Sequence, residues 1–238
     1  MSFQHLKIEN VQIGDYVCTV IEDTIVVVAS IGVEQLTPFY LGGKGCSLVS
    51  MVALGLPVPR AVIFPTTVGK EFVGLSTEVS EFQKKKVKDI VSSEFIAEFL
   101  DIESDYCSVR SGAMVSMAGM MDTILNVGAM HPKVSASFLG RYNDTGFAHD
   151  CKERFIATYN SAVYDEGGFT PKTAQQLNIF LNPHHDTPVA DHYGRCINAV
   201  FNSFNSPRAK LYRQLNGLDS VKGTACIIQK NGIRQSKR

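Results

Sequence analysis

SVRSGAMVSMAGMMDTILNVG, residues 108–128, sets one arginine among small and hydroxyl side chains, then four methionines around a glycine, then an aspartate. Such a segment is too polar and too rich in glycine for a core strand, yet too apolar for an ordinary solvated loop. Its arginine, Arg110, leaves the apolar run from Tyr106, which reads as a short buried strand. Flanked by Ser111 and Gly112, Arg110 offers a planar, permanently charged fork suited to phosphate oxygens. Gly119 lies in a flexible, methionine-rich stretch able to fold over a ligand and exclude water. The alternative is core packing, because methionine fills irregular gaps. That alternative weighs more for Met114 and Met117 than for Met120 and Met121, which adjoin Gly119 and Asp122.

Upstream, LGGKGCSL (41–48) places two glycines, Lys44 and a third glycine directly before a helical pattern over Cys46 to Leu54. Glycines let backbone amides approach a ligand, a helix N-terminus favours an anion, and a lysine adds a point charge. The spacing is not that of a P-loop. Taken alone, the stretch reads equally as a tight strand-to-helix turn with an exposed lysine.

Around these two segments the pattern alternates irregularly. The β-branched run YVCTVIEDTIVVVASI (16–31), interrupted at Glu22 and Asp23, predicts a hairpin. Strands are expected at 60–64, 106–110, 123–127 and 224–229. Helices are expected at 46–54, at 65–72 with Thr66 as N-cap, and at 88–100, 148–164, 190–204 and 207–215. Residues 166–187, with paired glycines, two prolines and His184-His185-Asp186, read as a polar connector, and the tail from Lys230 is polar and basic. The interleaving predicts an α+β, mixed α/β fold rather than a doubly wound sheet. Three parts are expected: an N-terminal hairpin extension (1–36), a main lobe (37–230) and a polar tail (231–238).

With 23 basic and 23 acidic residues the net charge is zero, so nothing draws the chain to nucleic acid or to an anionic membrane. Lys84, Lys85, Lys86 and Lys88 form the densest basic patch and read as a solvated helix face. The longest apolar run, Thr24 to Ile31, is too short to cross a bilayer. Six cysteines without a CxxC pair, and no leader-like N-terminus, predict reduced thiols in the cytoplasm. His184, His185 and Asp186 lack a third ligand set nearby and read as a solvated loop, so no metal site is expected. His149 reads as helix-terminal decoration and Cys107 as a small buried apolar residue.

Together these stretches resemble a known family. LGGKGCSLVSMVALGLPVPRAVIFPTT (41–67) is similar to the opening of pyruvate phosphate dikinase and, more distantly, of phosphoenolpyruvate synthase. SVRSGAMVSMAGMMDTILNVG resembles the same family's second signature. RFIATYNSAV (154–163), AVFNSFNSPRAKLYRQLNGL (199–218) and GTACIIQ (223–229) continue the likeness in order. It runs from about residue 40 to 229, leaving out the first 35 residues and matching poorly over 166–188.

The resemblance implies the first part of an ATP-grasp-like nucleotide-binding domain. It assigns Lys44 and Arg110 to ATP phosphates, with Arg110 also the one catalytic candidate. It assigns the backbone of Gly119, Met120, Met121, Asp122 and Thr123 to a lid over the polyphosphate, and Gln229 to the border of the adenine pocket. Ala118 stands where the family usually has proline, which implies a less rigid lid. In the family, the acids that hold magnesium follow the GTA strand. Magnesium is therefore expected only with ligands from elsewhere, because the acids, the swivelling phosphohistidine domain and the pyruvate-binding barrel are not in these residues. The expected function is nucleotide binding without a complete dikinase reaction, with a protein partner that completes or uses the lobe. The competing expectation is a non-catalytic interaction or regulatory protein that kept the fold and lost the chemistry.

Overall fold

The computed structural model describes residues 3–74, 77–164, 177 and 187–232. Most of the connector over 166–187, His184, His185 and Asp186 included, and residues 233–238 of the tail lie outside them.

The hairpin forms where the sequence interrupts itself. Glu22 and Asp23 both take φ 49°, the left-handed pair of a two-residue turn whose twist matches its strands. β2 (Tyr16–Ile21) thereby pairs antiparallel with β3 (Ile25–Val27), and β1 (Ile8–Ile13) turns back through Gly14 to form the outer edge. β3 runs parallel to β4 (Ala61–Phe64). The last strand, β7 (Thr224–Lys230), inserts between β4 and β5 (Cys107–Ala113), antiparallel to both. β6 (Thr123–Val127) completes the other edge, so the order is β1-β2-β3-β4-β7-β5-β6. The protein is a mixed α/β fold, and its N-terminal strands are continuous with the rest of this sheet.

Period-two alternation divides the central strands between two cores. Ala61, Ile63, Ala225 and Ile227 face α1 (Pro38–Ala53), which contributes Leu41, Leu48 and Val49. Val62, Phe64, Cys226 and Ile228 face the larger core. That side is built by α2 (Thr66–Gly74), α3 (Thr77–Ser92), α4 (Glu94–Leu100), α5 (Pro132–Tyr142), α6 (Thr145–Tyr164) and α7 (Val189–Ser203). Each fully buried aliphatic or aromatic side chain there stabilises the fold by roughly 1.5–3 kcal/mol. α8 (Pro207–Leu215) follows α7 directly, with the Ser206 hydroxyl accepting from the Ala209 N–H at its start.

Several local expectations are corrected. The helix expected from Cys46 already begins at Pro38, and Gly42 (φ 71°, ψ 165°) breaks it. LGGKG is thus a break within a helix rather than a strand-to-helix turn. Thr66 does not cap α2; its hydroxyl donates to the Phe39 carbonyl at 2.7 Å and ties α2 to α1. The single helix expected over 88–100 is two, because Ser93 adopts extended geometry and its side chain accepts from Ile96 N–H. α5 was not expected; it is short, carries Gly140, and starts at a His131-Pro132 step that reads as a turn. β5 runs on to Ala113, further into the opening segment than the strand expected over 106–110. The lysine patch lies, as expected, on a solvent-facing side of α3, where Lys84 pairs with Glu81, Lys85 with Asp89 and Lys88 with Asp191.

Candidate functional site

Cys107 and Val109 of β5 enter the larger core, so Arg110 and Gly112 belong to a surface shared with α1. A backbone contact draws α1 against that strand. A Cβ built on Gly42 would lie 1.7 Å from the Gly112 carbonyl oxygen, which leaves room for no side chain. In the turn that follows, Lys44 packs beside the same strand: a Cβ on Gly112 would stand 3.8 Å from Lys44 Cβ. Lys44 and Arg110 thereby line one cleft, with a volume of about 1040 Å³.

Two cations, Lys44 and Arg110, share this wall. Lys44 is exposed on the wall by surface area. Even so, partial burial of its ammonium, and then the neighbouring Arg110 cation, hold its pKa below the ordinary lysine value. Arg110 is half-buried, and its Nε is shielded from solvent with no hydrogen-bond partner. Neither cation forms an ion pair with a described residue. Adjacent cations held partly out of water repel each other, and an anion between them relieves both costs.

The methionine segment forms the facing side. Met117 is buried with Phe204 and Val221 in a small apolar cluster, against which Met114, Met120 and Met121 pack partly buried. Met120 N–H donates to Met117 O at 3.1 Å, and Gly119 follows the pattern of a tight turn with φ 73° in open space. Asp122 anchors the end of the segment twice. Its N–H donates to Ser203 Oγ at 3.1 Å, and its Oδ1 accepts from Arg208 Nη2 at 2.5 Å. Thr123 then opposes Arg110 across β5–β6, while Gln229 opposes Ser108 across β5–β7.

Lys44, Arg110, Gly119, Met121, Asp122, Thr123 and Gln229 therefore border one cleft, together with Met114, Met117 and Ala118. Met120 packs its side chain against the apolar cluster and is not among the residues lining the cleft. Arg208 lines it and was not expected. Its only sequence signal is the Ser206-Pro207 helix start, which fixes the exit angle of the next side chain. Cys107 is fully buried, and burial pushes its thiol up to about 12, which makes it inert. His149 is exposed on α6, where Asp150 is engaged by Arg154 at 2.8 Å. Among the described residues, no group of three or more His, Cys, Asp or Glu side chains is placed to hold a metal ion. No described helix is long and apolar enough to cross a membrane.

Compared with known families, residues 75–232 match the one described as pyruvate phosphate dikinase, AMP/ATP-binding domain. The chain belongs to this family. Pyruvate, phosphate dikinase of Giardia intestinalis is 32% identical over 235 residues, covering 82% of this chain and 26% of the relative. The chloroplastic dikinase of Flaveria trinervia is 33% identical over 227 residues, covering 79% and 23%. The dikinase of Clostridium symbiosum is 30% identical over 223 residues, covering 79% and 25%. The ancestry is thus that of a phosphotransferase, and the chain spans about a quarter of the length of the dikinases it matches.

Proposed function

We propose that these residues bind the phosphate tail of ATP, or of a related adenine nucleotide, in the cleft between α1, β5 and the methionine segment. The observation that carries this reading is the neighbouring pair Lys44 and Arg110, two cations on one wall without a described carboxylate partner. A buried, unpartnered Arg110 Nε on the same wall is a donor that a phosphate oxygen would satisfy. Lys44 supplies a point charge and Arg110 a fork, with Arg110 the group that would meet the transferring phosphoryl oxygens. Backbone amides of Gly119, Met121, Asp122 and Thr123 close over the tail, with Met120 seating the turn from behind. Gln229 borders the nucleoside end. The domain is of ATP-grasp type on this reading.

Magnesium, when bound with the nucleotide, supplies neutralisation of phosphate charge. Its protein ligands would come from outside the described residues. The full dikinase reaction is not assigned to these 238 residues, which correspond to about a quarter of each dikinase they match; a protein partner that completes or uses the lobe fits the rest. Residues 1–36 then serve as an extension and 231–238 as a tail. Six free thiols, five of them buried, support a reducing, cytoplasmic setting.

Calorimetric titration of ATP into the purified chain, with and without magnesium, tests the reading. Arg110→Ala should weaken binding by about 1.5–3 kcal/mol, the scale of a hydrogen bond to a charged group. A folded chain that takes up neither ATP, ADP nor AMP would leave the non-catalytic interaction protein as the better account.

A further inference from the structure

The seven methionines of the chain are not spread evenly. Met51, Met114, Met117 and Met121 line the cleft, and Met120 packs in the apolar cluster beside it. Within this group, access to solvent differs. Met117 is 5% exposed and clusters with Phe204 and Val221. Met114 and Met121 are half-buried, and each both packs against that cluster and lines the cleft. Met114 directly follows β5 and Met121 stands two residues before β6, so the pair occupies the points where the segment leaves and rejoins the sheet. Between them Val115, Ser116, Ala118 and Gly119 are exposed, and one hydrogen bond, from Met120 N–H to Met117 O at 3.1 Å, closes the turn. The apolar contacts at Met114, Met117 and Met121 therefore seat the segment. A thioether packs as a flexible aliphatic chain does, but its sulfur can also give up two electrons.

We propose that Met114 and Met121 form a methionine-oxidation site, at which a hydroperoxide unseats the segment and weakens nucleotide binding. The proposal rests on the nucleotide reading above. A sulfur lone pair attacks the terminal oxygen of the hydroperoxide, and an S–O bond forms as the O–O bond breaks. The proton of that oxygen passes to the leaving oxygen, which departs as water or an alcohol. Sulfur loses two electrons and the peroxide gains them. The product is a polar sulfoxide, which cannot return to the cluster of Met117, Phe204 and Val221 without burying an unpaired acceptor. Both ends of the segment are then released, and the backbone amides from Gly119 to Asp122 lose their placement. Met117 and Met130, each 5% exposed, are shielded from the oxidant. Met51 is 36% exposed, but it is carried by α1 and is not part of the cluster, so its oxidation leaves the segment seated. Sulfoxide reductases return the thioether, which makes the change reversible.

The test treats the full chain with hydrogen peroxide, maps sulfoxides by mass spectrometry, and measures ATP affinity before and after. The readout is the ratio of the two affinities, so a variant's starting affinity does not enter it. Sulfoxide should form at Met51, Met114 and Met121 ahead of Met117 and Met130. ATP affinity should fall on the order of tenfold, the scale of one buried unpaired polar group, and recover after treatment with sulfoxide reductases. Hydrogen exchange at the Met120 amide should quicken in the oxidised chain, because its bond to Met117 O depends on the seated turn. The Met51→Leu variant should lose as much affinity as the unaltered chain. The double variant Met114→Leu, Met121→Leu should change less than about twofold, since leucine fills a similar volume with no sulfur to oxidise. Circular dichroism melts establish that each protein remains folded. Full sensitivity in the double variant, or unchanged affinity once Met114 and Met121 are oxidised, would overturn the proposal while leaving nucleotide binding intact. Failure of the untreated chain to bind ATP, ADP or AMP would overturn both.

Discussion

Gly42 and Gly112 meet backbone to backbone: a single Cβ on Gly42 would stand 1.7 Å from the Gly112 carbonyl oxygen. The two residues belong to the two glycine-rich segments, and their contact is what brings Lys44 beside the strand that carries Arg110. The glycines of both motifs thus have a packing reason that precedes any ligand. Gly42 also breaks α1, and that break turns the helix start carrying Lys44 toward the strand.

Gly42→Ala should therefore destabilise the fold by more than about 3 kcal/mol, combining left-handed backbone strain of about 1–2 kcal/mol with overpacking. Gly119→Ala is the control. It has a similar φ of 73° but nothing within 4 Å of the added methyl, so about 1 kcal/mol is expected. Urea midpoints of the two variants decide between them. Near-equal costs would mean that the close approach does not constrain the fold.

Much of the sheet was legible because its strands carry clear period-two patterns or uninterrupted β-branched runs. The hairpin at Glu22-Asp23 and the strands β4, β6 and β7 needed only local signals. What local signals could not supply was the break at Gly42, since a helical pattern and a glycine turn look alike until the partner strand is known. The same holds for Met120. Its place beside Gly119 suggests a role in the cleft, yet the cluster of Phe204 and Val221 that claims it comes from a distant corner. Arg208 was hidden for that reason too, because its partner Asp122 lies 86 residues away in the sequence.

The methionine segment combines one firm anchor with an open turn. Met117 is buried and Asp122 is held by Ser203 and Arg208, whereas Val115, Ser116, Ala118 and Gly119 are exposed. In hydrogen exchange, amides at 115–119 should exchange faster than those of β5 and β6 without nucleotide, and gain protection on adding ATP. The Asp122 amide should be slow in both states. Uniformly slow exchange from 114 to 122 without ligand would show the segment to be ordinary core.

At the other end of β7 an ionic cluster fastens the strand. Lys230 Nζ reaches Asp101 at 3.1 Å, and Arg141 Nη1 lies 2.9 Å from both Asp101 and the buried Asp105. Burial alone would raise the Asp101 carboxyl, but hydrogen bonds from Lys230 and Arg141 outweigh it and hold its pKa below the usual range. A depressed folded pKa contributes stability that is present above the ordinary value of about 3.9 and is lost as pH falls through the folded one. Asp101 is about a third exposed, so about 1 kcal/mol or less is expected. Asp101→Asn should flatten that acid limb. Its φ of 55° suits asparagine, so the change removes charge without new backbone strain. An unchanged acid limb in denaturant melts between pH 5 and about 2 would exclude this role.

If the proposed nucleotide site is right, Lys44 should link binding to pH. Burial and then Arg110 lower its pKa from the ordinary lysine value. A polyphosphate between the two cations reverses the second effect and raises it again. The bound state then holds more protons than the free state at any pH between the two values. Binding should accordingly take up a fraction of a proton in the alkaline range below about 10.4, and affinity should fall as pH rises through that window. Calorimetry in two buffers of different ionisation enthalpy reads the uptake directly. Lys44→Arg keeps the charge with a group that does not titrate there, so it should abolish the uptake while retaining part of the affinity. Uptake of equal size in Lys44→Arg would assign the proton to another group and remove Lys44 from the phosphate wall.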